Sequence, residues 1–260
     1  MFHHVIVPFD GTLEARAALA PAADLAWRCG AKVVIVSTMA IDDEAAQYVM
    51  KSQAIAKSGA DVSFWVDSHA ELGDAVLEAT RFRSESIVCM ASRYRNTGLV
   101  RKKQTATVLP EAVLRHSSVP VLIVGPETDL SRGLPLSELV MPIDDSAESV
   151  RAARLAADVA ASMRLGLRFL VMVPPGGDAV VPEDVREIVE EIRSQLPAVD
   201  LELIETDQPA AALVAIAAEE MDAVILLPRT DADEQVALGP FAAEVVATSH
   251  RAVVLAPPGS

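Results

Sequence analysis

The chain has 260 residues, enough for one large domain or two of ordinary size, and 51% of them are hydrophobic with only 4% aromatic. That balance predicts a core of Ala, Val, Leu and Ile, suited to helices packed on buried parallel strands, and the strand-sized apolar runs exclude a membrane-spanning helix. A formal net charge of −15 excludes general nucleic-acid binding, which depends on Lys and Arg neutralising phosphates.

The charge is unevenly placed. Residues 1–126 carry thirteen basic and thirteen acidic side chains, and residues 127–260 carry nine and twenty-four, so the whole excess lies in the second part. If an anionic ligand binds anywhere, the first part is the better place for it. The opening MFHHVIVPFDG lacks a basic segment followed by a long apolar run and a cleavage site, so no signal peptide is expected and the cytoplasm is the expected compartment. Cys29 and Cys89 are too few for a disulfide framework and have no metal-ligand spacing. They read as buried bystanders, with a redox pair as the alternative.

In chain order, Val5 to Val7 is a β-branched run closed by Pro8, Phe9, Asp10, Gly11 and Thr12, which is turn and N-cap chemistry after a buried strand. Leu13 to Cys29 repeats Ala18, Leu19, Ala22, Leu25 and Ala26 at helical spacing, with Gly30 as its stop. Val33 to Val36 is a second strand, Asp43 to Lys57 a helix, and Val62 to Val66 a third strand nearer a sheet edge. A helix over Leu72 to Arg83, strand Ile87 to Met90, helix Val108 to His116 and strand Val121 to Val124 complete a β-α-β-α-β-α-β-α-β run. Gly125 to Ser137 (GPETDLSRGLPLS) has no periodicity and reads as a linker.

The pattern then repeats. Leu139 to Ile143 with Pro142, Asp144, Asp145 and Ser146 restates VIVPFDGT, so that Pro8 falls on Pro142, Asp10 on Asp144 and Thr12 on Ser146. Helix Ser149 to Met163, strand Phe169 to Val173, helix Glu183 to Leu196, strand Leu201 to Glu205, helix Ala210 to Met221, strand Val224 to Leu227, helix Pro240 to Ser249 and strand Val253 to Leu255 follow. PVLIVGP near residue 120 corresponds to AVVLAPP near residue 252. A repeat of this length is the size of a domain, which predicts a tandem duplication: domains at 1–126 and 138–260 with a linker at 127–137.

The elements Val7-Pro8, Asp10-Gly11-Thr12 and, before the fifth strand, Val113-Leu114-Arg115-His116 with Pro120-Val121-Leu122-Ile123-Val124, resemble the universal stress protein family. The likeness covers nearly the whole chain as two copies, the second more diverged. It implies, in each copy, an α/β fold: an open, parallel, five-stranded Rossmann-like sheet of order 3-2-1-4-5 with helices on both faces. It also implies a non-enzymatic stress-response regulator that requires no cofactor, with ATP or another adenine nucleotide as the ligand to test. Family copies associate through their fifth strands, so Val121 to Val124 and Val253 to Leu255 are expected to pair and make the chain an internal pseudo-dimer, with further homodimerisation open.

The family's nucleotide motif is Gly-x-x-Gly, nine residues, then Gly-Ser or Gly-Thr, on the loop after strand four. Glycines let the backbone approach phosphate oxygens, and the final pair opens a helix whose N–H groups cradle the anion. Here the early glycines fall on Ala91 and Tyr94. The final pair falls on Gln104-Thr105, or on Thr107-Val108 if three residues are inserted; no family glycine remains. By resemblance the nucleotide-site candidates are Pro8, Asp10, Gly11, Thr38, Met90, Ala91, Arg93, Thr107 and Val108, and at most one weak site is expected. Asp10 reads either as a cap of the first helix or as an acceptor for an adenosine group as well.

Arg93, Arg95, Arg101, Lys102 and Lys103 form a basic loop that reads either as a solvated surface or as anion capture by side chains, each charge-assisted contact contributing about 1.5–3 kcal/mol. In the second copy Leu227 and Thr230 take the early glycine positions, Gly239-Pro240 the final pair, and Asp231, Asp233 and Glu234 stand where phosphates would sit. No nucleotide is expected there. His3, His4, His69, His116 and His250 have no ligand spacing, no catalytic set is visible, and the SGGxDS-type loop of adenylating enzymes is absent after strand one. The alternative function is a nucleotide-independent scaffold whose acidic second domain meets a basic protein partner.

Overall fold

The computed structural model describes residues 2–38, 59–91, 109–125, 128, 134, 136–176, 180–219, 223–229 and 238–258. The helix expected over Asp43 to Lys57 and the basic loop lie outside them. The strands are β1 (His4–Pro8), β2 (Lys32–Ser37), β3 (Val62–Val66), β4 (Ser86–Ala91), β5 (Val121–Val124), β6 (Glu138–Pro142), β7 (Gly166–Val173), β8 (Val199–Glu205), β9 (Ala223–Leu227) and β10 (Val253–Leu255). The helices are α1 (Leu13–Ala17), α2 (Leu19–Cys29), α3 (Leu72–Arg81), α4 (Leu109–His116), α5 (Ala147–Met163), α6 (Glu183–Arg193), α7 (Pro209–Glu219) and α8 (Pro240–Thr248).

Each copy has the expected strand order, but the two sheets are one. The order β3-β2-β1-β4-β5-β10-β9-β6-β7-β8 is continuous over ten strands. Every pairing is parallel except β5 with β10, where Ile123, Leu122 and Val121 oppose Val253, Val254 and Leu255. Leu122 and Val254 occupy equivalent positions of the repeat and face each other, so an approximate two-fold axis passes between them. All six seam residues are buried. Unpaired, each of these short apolar strands would leave an exposed ladder and an apolar edge; pairing removes both.

Strand residues alternate between two cores. Val5, Val7, Val33, Ile35, Ile87, Leu122, Val254 and Phe169 face the layer that contains α2, α5 and α6. Ile6, Val34, Val36, Val88, Val121, Ile123, Val253 and Leu170 face the layer of α3, α4, α7 and α8. Each core therefore runs unbroken across the seam. The apolar stripe of α6, Val185, Ile188, Val189 and Ile192, is buried, and Glu183, Asp184, Glu187, Glu190 and Glu191 are its exposed face.

Three expectations are corrected. The helix expected over Leu13 to Cys29 is two, α1 and α2, meeting at Ala18. Pro21 has no N–H, and its ring conflicts with the carbonyl of Ala17 four residues back; the break places Pro21 in the first turn of α2, where it is tolerated. Leu155 stands at this position of the second copy, and α5 runs unbroken. The Cys89 thiol donates to the Ala18 carbonyl at 3.5 Å.

The second correction concerns the linker, which is more than a spacer. Leu134 and Leu136 are buried in the core. The Leu134 N–H donates to Asp24 Oδ2 at 2.7 Å, and Arg28 Nη1 donates to the Leu136 carbonyl at 2.9 Å, so α2 of the first copy holds these two linker residues. The third is the helix cap: Thr12, and not Asp10, is the N-cap residue whose side chain accepts from the Ala15 N–H.

The repeat also exposes a local cost. Helix α2 ends on Gly30 at φ 64°, and α5 ends at the equivalent Arg164 at φ 58°, both left-handed. An L-residue with a side chain pays about 1–2 kcal/mol for that conformation, and the Arg164 side chain is exposed. Arg164→Gly is therefore expected to raise stability in urea titration by about 0.5–1 kcal/mol after the entropy of the glycine is set against the strain; a loss of stability contradicts it. At the seam, Leu122→Ala is expected to cost about 2–5 kcal/mol in the same titration, as a fully buried Leu does, and a cost below about 1 kcal/mol contradicts the packing described.

Candidate functional site

Parallel strands of order 3-2-1-4-5 reverse their winding between strands one and four, and ligands of such sheets bind outside the carboxyl ends of the strands at that switch point. The structure brings the described candidates to that place in the first copy. Pro8 ends β1, Thr38 follows β2, and Met90 and Ala91 end β4, with β2, β1 and β4 adjacent in the sheet. Phe9 is buried and its N–H donates to the Val36 carbonyl at 2.8 Å, which turns the chain over the end of β2.

Asp10, Gly11 and Thr12 build the turn. Asp10 Oδ1 accepts from the Thr12 N–H at 3.1 Å and from the Thr12 hydroxyl at 2.6 Å, while Thr12 Oγ1 accepts from the Ala15 N–H at 3.3 Å. Gly11 has φ 78°, a conformation that glycine adopts freely and that leaves its backbone without a Cβ at the mouth. Arg93, Arg95, Arg101, Lys102, Lys103, Thr107 and Val108 lie outside the described residues.

The second copy rebuilds the turn with different residues. Asp144 Oδ1 accepts from the Ser146 N–H at 3.1 Å and from the Ser146 hydroxyl, and Ser146 Oγ accepts from the Ser149 N–H at 3.2 Å. Asp145 stands where Gly11 does, and its φ is not positive. Burial alone would raise the Asp144 carboxyl, but hydrogen bonds from Ser146 and Ser149 outweigh it and hold the carboxyl below its ordinary value of 3.8.

Beside Asp144 the structure has a cavity of about 410 Å³ at the ends of β6, β7, β9 and β10. Its walls are largely apolar, with Ile143, Leu170, Met172, Leu238, Phe241 and Leu255 among them, and Arg229 is the cation that lines it. Met172 occupies the position of Thr38. Arg229 is buried, donating to the carbonyls of Leu114 and, at 2.9 Å, Ser117. It thus caps the C-terminal end of α4 in the other copy, a favourable place for a cation. Sequence reasoning missed Arg229 and the cavity. A lone Arg directly after the apolar run AVILLP marks an unusual cation there but not its partners.

The cysteines make no pair. Both are buried free thiols; burial pushes Cys29 up to about 11 and Cys89 further up, so neither ionises readily as a nucleophile must. Among the described residues no group of three His, Cys, Asp or Glu side chains is placed to hold a metal ion, and no helix is long and apolar enough to cross a membrane.

A carboxyl whose folded pKa lies below its unfolded value contributes stability that is present above the unfolded value and lost as pH falls through the folded one. The stability difference between the natural chain and Asp144→Asn, read from urea titrations, is expected to be constant above about pH 5 and to shrink below 3.8. A difference that does not change down to about pH 2 contradicts the hydrogen bonding of this turn.

No family model and no curated protein matches the chain. Solved structures match it along its length. A universal stress protein from Archaeoglobus fulgidus DSM 4304 has a TM-score of 0.67 at 19% identity, covering 98% of this chain and 96% of that one. A Pseudomonas aeruginosa UCBPP-PA14 protein assigned to the universal stress proteins has a TM-score of 0.60 at 15% identity, covering 98% and 93%. A protein of unknown function from Pseudomonas aeruginosa PAO1 has a TM-score of 0.59 at 16% identity, with the same coverage. With both five-stranded copies matched in one alignment, the chain has the fold of tandem universal stress proteins.

Proposed function

We propose that the protein is a cytoplasmic stress-response regulator that acts by binding rather than by catalysis, with an adenine-nucleotide site in its first copy alone. The observation that carries this reading is the convergence of Pro8, Asp10, Gly11, Thr38, Met90 and Ala91 on the carboxyl ends of β1, β2 and β4, at the switch point of the sheet. Asp10 is oriented by Thr12 through Oδ1, and Gly11 leaves the backbone open to a close ligand. The first 126 residues have no net charge, and the basic loop, with Arg93, Arg95, Arg101, Lys102 and Lys103, follows Ala91 directly in sequence. Side-chain cations would replace the missing glycine cradle, at the cost of ordering flexible side chains. The affinity is accordingly expected to be weak.

The second reading is a nucleotide-independent scaffold. It is favoured by the exposed acidic face of α6, Glu183, Asp184, Glu187, Glu190 and Glu191, within a part of the chain that carries the whole net charge of −15. A basic protein partner would be held in a salt-sensitive way.

Calorimetry with ATP, AMP and cyclic AMP separates the two. The nucleotide reading predicts one site per chain, with affinity reduced about tenfold or more in Asp10→Ala, the loss of a hydrogen bond to a charged acceptor. No heat at millimolar ligand, or binding that Asp10→Ala leaves unchanged, overturns it in favour of the scaffold.

A further inference from the structure

The cavity of the second copy occupies the place equivalent to the candidate nucleotide site, but its chemistry differs. Its volume of about 410 Å³ lies within the range of small-molecule pockets, which are mostly apolar with a few placed polar groups. On its wall Ile143, Leu170 and Leu255 are buried, whereas Met172, Leu238 and Phe241 are only partly so. Apolar surface is therefore still open to water there, and covering it is the main driving force that the cavity offers a ligand.

Neither sign of charge finds a dedicated partner among the described lining residues. An anion is held by N–H donors and cations. Pro142, Pro209, Pro228 and Pro240 all line the cavity and have no N–H to give, and Pro240 removes that donor from the first turn of α8, where a helix otherwise attracts an anion. Arg229 keeps its full charge, but it is buried and donates to the carbonyls of Leu114 and Ser117 in the first copy. A cation meets the opposite difficulty. Asp144 is the one carboxylate on the described wall; it stands exposed to solvent, and its Oδ1 already accepts two hydrogen bonds from Ser146. Arg229 and the first turn of α8 offset its charge. A charged group would thus give up its water on entering without a dedicated counter-charge in return, a cost that an uncharged molecule avoids.

We infer that this cavity is a binding site for a small, uncharged, largely apolar molecule, seated against Leu170, Met172, Leu238 and Phe241. Met172 stands where the first copy has Thr38, and Pro228 where it has Ala91. At the same point of the sheet the second copy therefore exchanges a hydroxyl and a backbone donor for apolar surface. The site stands independently of the nucleotide reading of the first copy.

The test uses 1-naphthylmethanol as the probe, with 1-naphthylacetate and 1-naphthylmethylamine as its charged matches, each titrated into the full chain by calorimetry. The alcohol is expected to bind once per chain with sub-millimolar affinity and a negative heat-capacity change, the mark of apolar burial. Each charged match is expected to bind at least about tenfold more weakly. Met172→Thr, which installs the residue of the first copy, is expected to weaken the alcohol about threefold or more as apolar surface is lost, and Ala242→Trp, which fills the cavity, to abolish its binding. Far-UV circular dichroism and thermal unfolding check that both variants fold, and Met172→Thr stands as the test if Ala242→Trp does not fold. AMP is expected to leave the alcohol undisplaced. Asp10→Ala tests the nucleotide site of the first copy separately and is expected to leave the alcohol's affinity unchanged. The inference is overturned if the alcohol does not bind at millimolar concentration, if either charged match binds as tightly, if AMP displaces the alcohol, or if Met172→Thr leaves its affinity unchanged.

Discussion

The antiparallel pairing of β5 with β10 joins two five-stranded sheets that would otherwise each end in an open edge. Each copy taken alone would end in a strand of three or four apolar residues with an unsatisfied ladder. Joined, the two edges disappear, and the cores on both faces of the sheet become continuous, with Leu122 and Val254 on one face and Val121, Ile123, Val253 and Leu255 on the other. Two further contacts follow the same logic. Asp24 and Arg28 hold the linker residues Leu134 and Leu136 against α2, and Arg229 reaches across to the end of α4. The duplication is thus one folded body, and Arg229 links the wall of the second copy's cavity to a helix of the first copy.

The duplication keeps geometry while its chemistry drifts. The hydrogen bonds from Thr12 to Asp10 and from Ser146 to Asp144 are the same turn made twice. Around that turn Gly11 has become Asp145, Thr38 has become Met172, and Gly30 has become Arg164. Where Pro21 breaks the first helix, Leu155 lets its counterpart run on. Backbone hydrogen bonding and core burial hold the sheet through such changes, whereas the residues at the strand ends, which bear no comparable packing load, diverge in polarity. Residues 1–126 without net charge and residues 127–260 with −15 fit that division.

Much of the fold was legible because its signals are local. The β-branched runs bounded by Pro, Gly and Asp marked the strands, several to within a residue, and the repeat of VPFDGT in MPIDDS together with the two terminal strands revealed the duplication. What the periodicity hid was nonlocal or steric: it could not show the break at Ala18, since the apolar spacing continues through Pro21, nor the burial of Leu134 and Leu136, since a linker with little pattern can still be pinned by side chains of a distant helix. At the site, Asp10 and Gly11 were readable from turn chemistry. Arg229 was not, because its partners are backbone carbonyls of the other copy, more than a hundred positions away, and a carbonyl leaves no mark in a sequence.

Because their fifth strands close a single sheet, the two copies are expected to unfold as one body. Native-state hydrogen exchange of the β5 and β10 amides measures this directly. Opening free energies within about 1 kcal/mol of the global unfolding value, as for strands at the centre of a cooperative core, are the predicted result. Exchange of those amides through a local opening several kcal/mol below the global value, with the outer strands of each copy still protected, would contradict it.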